Sequence, residues 1–318
     1  GPAFGPVISG LMCTLFGWRA VFVVPLVGGI AVAAAGVKLV QNVGERSNTT
    51  LDILSVVLLA AGITSFVYSV GEFSTNLIAG IVALFAAIVL LGLFAARQLK
   101  LEHPVLNVRP MASVRFWPAC LLVVVSMMTT FSMSVLLPLY FEGAYRMTAL
   151  VAGLLILPAI ACNAVTSIVG GRVMDARGAW PLLPVGFTLI AVGQTAISMT
   201  AASMNIGVVV ALTVVVYAGV GLVLSPSQTA GLETLPAAEH PHGTALLNTW
   251  NMIAASFGPS LFIGLLSSSA ATAGVAGAAT DVAQAIGFAA AVRVAAAIAV
   301  VGFATSLVYA RRESHMSH

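Results

Sequence analysis

The 318-residue chain alternates long apolar runs with short polar breaks. Each run holds about 20 residues, the length a helix needs to cross a bilayer, and none shows the roughly 10-residue alternation of an outer-membrane barrel strand. The pattern predicts ten helical spans. They run from Gly1 to Phe16, Ala20 to Leu39, Leu51 to Val70, Leu77 to Ala96 and Phe116 to Tyr140. The remaining five run from Ala149 to Gly170, Trp180 to Thr200, Ile206 to Gln228, His242 to Ser268 and Ile286 to Tyr309. Two longer connections stand out. Residues 97–115 are basic, and Pro104 and Pro110 break them, so a linker at the membrane surface is expected there. Residues 270–284 are rich in Ala and Gly and read as a flexible loop on the opposite side.

Composition turns this pattern into a fold class. Hydrophobic residues make up 60% of the chain and charged ones 7%, against about 25% charged in soluble domains. The mean hydropathy is +1.07. Such a chain cannot cover a water-facing surface, so an all-α polytopic membrane protein is predicted, with no soluble domain and the lipid bilayer as its partner. The net charge of +3 is no nucleic-acid signal, because the placement of the cations carries the information. Lys38, Arg46, Arg97, Lys100, Arg109, Arg115, Arg172, Arg177, Arg311 and Arg312 all fall on one set of connections, while the opposite set holds Arg19 and Arg146. The positive-inside rule makes the first set cytoplasmic. Gly1 is not an initiator Met and no basic segment precedes the first run, so an upstream part of the natural protein is expected to be missing.

Chemistry-bearing clusters are few. Cys13, Cys120 and Cys162 lie inside apolar runs without metal-ligand spacing, and none of the five His belongs to an HExxH pattern, so no metal, cofactor or enzymatic site is expected. The glycines of Gly1-Pro2-Ala3-Phe4-Gly5-Pro6-Val7-Ile8-Ser9-Gly10 make little sense in a soluble helix, where each costs about 1 kcal/mol and an interior Pro about 3. In lipid, small residues let helix backbones approach closely. Polar residues also form stripes at helical spacing. The fifth run carries Ser126, Thr129, Thr130, Met133 and Ser134; the sixth Asn163, Thr166 and Ser167; the eighth Thr213 and Tyr217; the ninth Thr244, Asn248 and Asn251 beside Trp250. Intramembrane polar groups face the protein interior, either to join helices or to line a polar path, and both roles stay open. The ten acids all sit in loops or at span ends. Glu142, at the outer end of the fifth run, is the candidate for cation attraction or protonation. Arg293 is the one basic residue inside a run, to be explained by snorkelling or by pairing with Glu142 or Asp281.

Several motifs resemble those of the major facilitator superfamily, in its fourteen-helix drug:proton antiporter branch. Gly1, Gly5, Pro6 and Gly10 resemble the Gly-x-x-x-Gly-Pro-x-x-Gly-Gly signature of the fifth family helix, with Ser9 for one Gly. Trp18-Arg19-Ala20-Val21-Phe22 resembles the entry of the sixth, and Leu51-Asp52-Ile53-Leu54 the start of the seventh. His103-Pro104-Val105-Leu106 resembles an element of the central linker, and Leu137-Pro138-Leu139-Tyr140-Phe141-Glu142 the end of the ninth helix, with Glu142 for the usual Gln. Gly171, Asp175, Arg177 and Gly178 resemble the Gly-x-x-x-Asp-x-x-Gly conformational loop. A capping Asp and a nearby Arg there could latch one state.

The resemblance implies the major facilitator fold without its first four helices. Residues 1–40 would be the last two helices of the N-terminal half, 51–96 the extra central pair, 97–115 the cytoplasmic linker, 116–310 the six-helix C-terminal half and 311–318 a cytoplasmic tail. It further implies a monomer in the bacterial inner (plasma) membrane that exports hydrophobic or cationic compounds in exchange for protons. Met133, Asn163, Tyr217, Asn248, Trp250 and Asn251 would line the substrate cavity, and Glu142 with Arg293 would be a proton or cation site. A transporter of another metabolite, or a non-transporting membrane sensor or scaffold, are the alternatives.

Overall fold

The structure, a computed structural model, describes residues 5–39, 52–72, 76–101, 104–179 and 181–314. Among these residues there is no strand. Helix α1 spans Gly5–Phe16, and a 3-10 turn over Trp18–Phe22 leads into α2, Val23–Leu39. Helices α3 (Ile53–Glu72) and α4 (Leu77–Lys100) form an antiparallel hairpin, followed by a 3-10 turn over Arg109–Ala112. The remaining six are α5 (Phe116–Tyr145), α6 (Ala149–Arg177), α7 (Leu182–Thr200), α8 (Ile206–Glu233), α9 (His240–Val275) and α10 (Thr280–Ser314). Nine of the described helices are long and apolar enough to span a membrane; α1, with 12 described residues, is the exception.

The core lies in the α5–α10 unit. Helix α5 runs through its middle against α8, α9 and α10, while α7 packs on α8 and α10, and α6 on α8. Small residues allow close crossings: a Cβ on Gly186 of α7 would stand 2.9 Å from the carbonyl oxygen of Gly219 of α8. Backbones that close in lipid gain dispersion contacts that no hydrophobic force supplies. Near the outer end, the Tyr140 ring stacks on Phe288 at 4.2 Å between centroids, and its hydroxyl donates to the Ala201 carbonyl at 2.8 Å.

Helix starts follow the capping rules. Side chains of Asn76, Thr148 and Asn205 accept hydrogen bonds from the backbone amides three residues on, opening α4, α6 and α8.

Helix ends depart from the hydropathy pattern. Helix α5 continues to Tyr145, and α6 to Arg177 through the segment expected to be a conformational loop. The expected loop over 270–284 is mostly helix, with α9 running to Val275, α10 starting at Thr280, and the turn at Gly277 (φ +92°). Hydropathy marks where lipid ends, whereas the helical hydrogen-bond ladder continues through Ala-rich sequence into water.

The α3–α4 hairpin joins the α5–α10 unit through α9, where Phe66 stacks on Phe257 at 5.3 Å. By contrast, α1 reaches that unit at α6.

Candidate functional site: the outer seam between α1 and α6

The basic connections place the start of α5 in the cytoplasm, so α5 runs outward and α6 inward. The end of α5, the start of α6 and the turn after α1 therefore share the outer side. Gly10 is buried against the first turn of α6. A Cβ there would sit 2.8 Å from the Ala149 carbonyl oxygen and 3.0 Å from Leu150 Cα. These are backbone atoms that cannot swing aside, so any larger residue has to push the helices apart. Of the other glycine-stretch residues, Gly5 and Pro6 lie at the start of α1 and Gly1 lies outside the described residues.

Beside this seam is a cavity of about 340 Å³. Ser9, Gly10 and Cys13 of α1 form one wall with Val21 of the following turn; Ser134, Pro138 and Glu142 of α5 form another, and Ala149 and Gly153 of α6 close it. The structure thus joins two features that lie 132 residues apart in the chain, Gly10 and Glu142. Glu142 is exposed and is the only carboxylate among these lining residues. An anionic group at the rim of a neutral, largely apolar chamber attracts a cation while its apolar walls hold an organic body.

Arg293 is exposed on α10 and does not line this cavity. Among the described residues neither it nor Glu142 forms an ion pair, so the pairing with Glu142 or Asp281 considered from the sequence is absent.

The expected substrate-cavity residues are dispersed. Met133 is fully buried in the main core, and Tyr217 lies in the same cluster. Asn163 reaches across from α6 to donate to the Tyr217 carbonyl at 3.0 Å, joining α6 to α8. The Trp250 indole N–H points to Met111 Sδ at 3.4 Å, on the cytoplasmic side. Asn248 is exposed on α9, and Asn251 is buried with its Oδ1 unpartnered. None of the six lines the outer cavity.

Gly171, Asp175 and Arg177 belong to the last two turns of α6, and Gly178 terminates it at φ +75°, donating to the Met174 carbonyl at 2.9 Å. The helix persists here because Met174 packs into the core. Asp175 and Arg177 are exposed, with no ion pair among the described residues. In this state Asp175 faces the negative end of its own helix dipole and caps nothing, while Arg177 complements that dipole.

One polar group was missed by sequence reasoning. Asp52, just ahead of α3, accepts from Arg97 of α4 through Nε at 2.7 Å and Nη2 at 3.1 Å. The Ser55 hydroxyl also donates to Asp52, at 2.6 Å. Gln98 Nε2 donates to Ser55 Oγ at 2.6 Å, and Gln98 Oε1 accepts from the Leu106 amide at 3.1 Å. The Arg97 guanidinium, then the Ser55 hydroxyl, hold the Asp52 carboxyl well below the usual carboxylate range. The available signal was hairpin symmetry: Asp52 and Arg97 stand almost equally far from the turn between α3 and α4.

Residues 1–259 match the Major Facilitator Superfamily. The chain belongs to the Major Facilitator Superfamily. Superfamily relatives include the lincomycin resistance protein LmrB of Listeria monocytogenes, 32% identical over 269 residues, covering 84% of this chain and 57% of that protein. An uncharacterized MFS-type transporter of Bacillus subtilis, YcnB, is 32% identical over 310 residues, covering 96% of this chain and 65% of its own length. A multidrug resistance protein B homolog of Mycobacterium tuberculosis is 25% identical over 273 residues, covering 84% and 51%. The chain spans less than two thirds of each of these relatives. It is a multi-pass plasma-membrane protein of a transporter superfamily, and its all-α architecture is the one the superfamily predicts.

Proposed function

We propose that the protein exports hydrophobic or cationic small molecules in exchange for protons, by alternating access, with one chain as the transporting unit. The observation that carries this reading is the outer seam, where Gly10 meets the α6 backbone beside a chamber with one carboxylate. A contact that tight joins α1 to α6 at their outer ends, and under this reading release to the outside requires them to part. The relatives named for lincomycin and multidrug resistance support an organic, drug-like cargo.

The remaining residues take roles accordingly. Glu142 draws a cation or proton to the outer mouth. Asn248 is the exposed amide on α9 available to cargo, while the Oδ1 of Asn251 is unpartnered but buried. Met133, Asn163, Tyr217 and Trp250 hold that region's helices in place around it. Asp175 with Arg177 latches the opposite conformation, in which the end of α6 meets another helix start.

The test is accumulation in cells stripped of their own efflux pumps. Cells expressing the full-length protein should retain less of a lipophilic cationic dye and survive more lincomycin than cells without it. Equal retention across several dyes, together with unchanged lincomycin sensitivity, would contradict export.

A further inference from the structure

The relay from Arg97 to the Leu106 amide does more than hold two helices together. Within it Gln98 is 1% exposed and Ser55 fully buried, and each end of the Gln98 amide has a partner. Its far end is a backbone amide of the linker, so the linker is held to the hairpin by a hydrogen bond sealed from water. Directly beside it, Leu106 is buried in a cluster with Phe94 of α4, Phe116, Cys120 and Val123 of α5, and Leu246 of α9. The same linker supplies Met111, whose sulfur meets both the Trp250 indole N–H at 3.4 Å and Cys120 Sγ at 3.7 Å. Farther along the hairpin, Phe66 of α3 stacks on Phe257 of α9. Hairpin, linker and α5–α10 unit therefore share one core on the cytoplasmic side.

We propose that Gln98, with Ser55 and the Asp52–Arg97 pair, clasps the linker so that the α3–α4 hairpin is a fixed part of the α5–α10 unit. These parts then move as one body, and relative motion is between that body and α1. A linker of this length would otherwise be a flexible tether between independently moving pieces. A chain of hydrogen bonds whose Ser55–Gln98–Leu106 end is buried removes that freedom. Gln98 is a positioning residue under this proposal, touching neither cargo nor the outer cavity.

Hydrogen exchange on the full-length protein in membranes tests the clasp without any transport assay. In the wild type the Leu106 amide should exchange as slowly as the amides in the middle of α4, with a pH gradient imposed or absent. Gln98→Leu should speed exchange at Leu106 about tenfold, the scale of one lost hydrogen bond. Ser55→Ala, a milder change, should speed it less. A wild-type Leu106 amide that exchanges as fast as that of exposed Val105, or one indifferent to both substitutions, would overturn the clasp. For the single-body claim, Phe66 is replaced by benzoylphenylalanine and photolysed. Cross-linking to α9 should be equal with and without the gradient, and the cross-linked protein should keep its dye efflux. A yield that collapses under one condition, or efflux lost on cross-linking in a protein active before photolysis, would show that the hairpin moves against α9.

Discussion

At the scale of single residues, Gly10 and Glu142 carry the account. Gly10→Val places two methyl groups where the Ala149 carbonyl already stands 2.8 Å from the ideal Cβ. Overpacking of this sort costs about 1–3 kcal/mol. Because α1 meets the α5–α10 unit at this seam, the damage should fall on closure before it falls on folding. Gradient-driven efflux should drop about tenfold, equivalent to ~1.4 kcal/mol, while detergent-solubilised protein keeps most of its thermal stability. Activity and folded protein lost in proportion would show that Gly10 only joins helices. Glu142→Gln preserves shape and removes charge. It should lower the preference for a cationic over a neutral dye about tenfold, read as competition for efflux, with little change in stability. At Asp52, Arg97 and Ser55 hold the carboxyl ionised. A depressed folded-state pKa contributes stability that is complete above the unfolded value and fades only as pH falls through the folded one. The difference in melting temperature between wild type and Asp52→Asn should therefore be flat between about pH 5 and 8, by thermal unfolding in detergent. A difference that shrinks steadily from pH 8 to about pH 5 would mean that Asp52 titrates there and belongs to the coupling machinery.

At the scale of elements, interhelical polar contacts separate glue from pathway. Asn163 donates from α6 to the Tyr217 carbonyl of α8, a contact of the kind worth about 0.6 kcal/mol in measured membrane proteins. Asn163→Leu should accordingly lower thermal stability slightly and leave dye selectivity unchanged; a changed selectivity profile would return Asn163 to the cargo path. Which elements exist was legible in the sequence, because ten apolar runs of bilayer length leave few alternatives. Where they end was less legible. Asp175 and Arg177 look like loop residues to a hydropathy scale, yet they ride on α6, which continues because Met174 still finds the core. Polar stripes were legible as stripes, but their orientation was not. Trp250 sits beside Asn251 in sequence and turns instead to Met111, a linker residue 139 positions away. Only packing between distant segments decides such a choice.

At the scale of the molecule, the family was readable from its sequence motifs, the small-residue spacing among them. The convergence of the glycine stretch with Glu142, and the relay from Arg97 to Leu106, were not, because each depends on contacts between segments with no shared periodicity. Together they describe a tight outer seam on one side and a shared cytoplasmic core on the other. Under the proposed function the seam parts as α1 rocks against the body that holds this core. The most direct measurement is flux in proteoliposomes holding the full-length protein and a lipophilic cationic dye, with a pH gradient imposed across the membrane. The account predicts uphill dye movement opposite to the proton gradient, abolished when an ionophore collapses it and about tenfold slower with Gly10→Val. Dye movement that ignores the gradient, or no movement beyond protein-free vesicles, would contradict it.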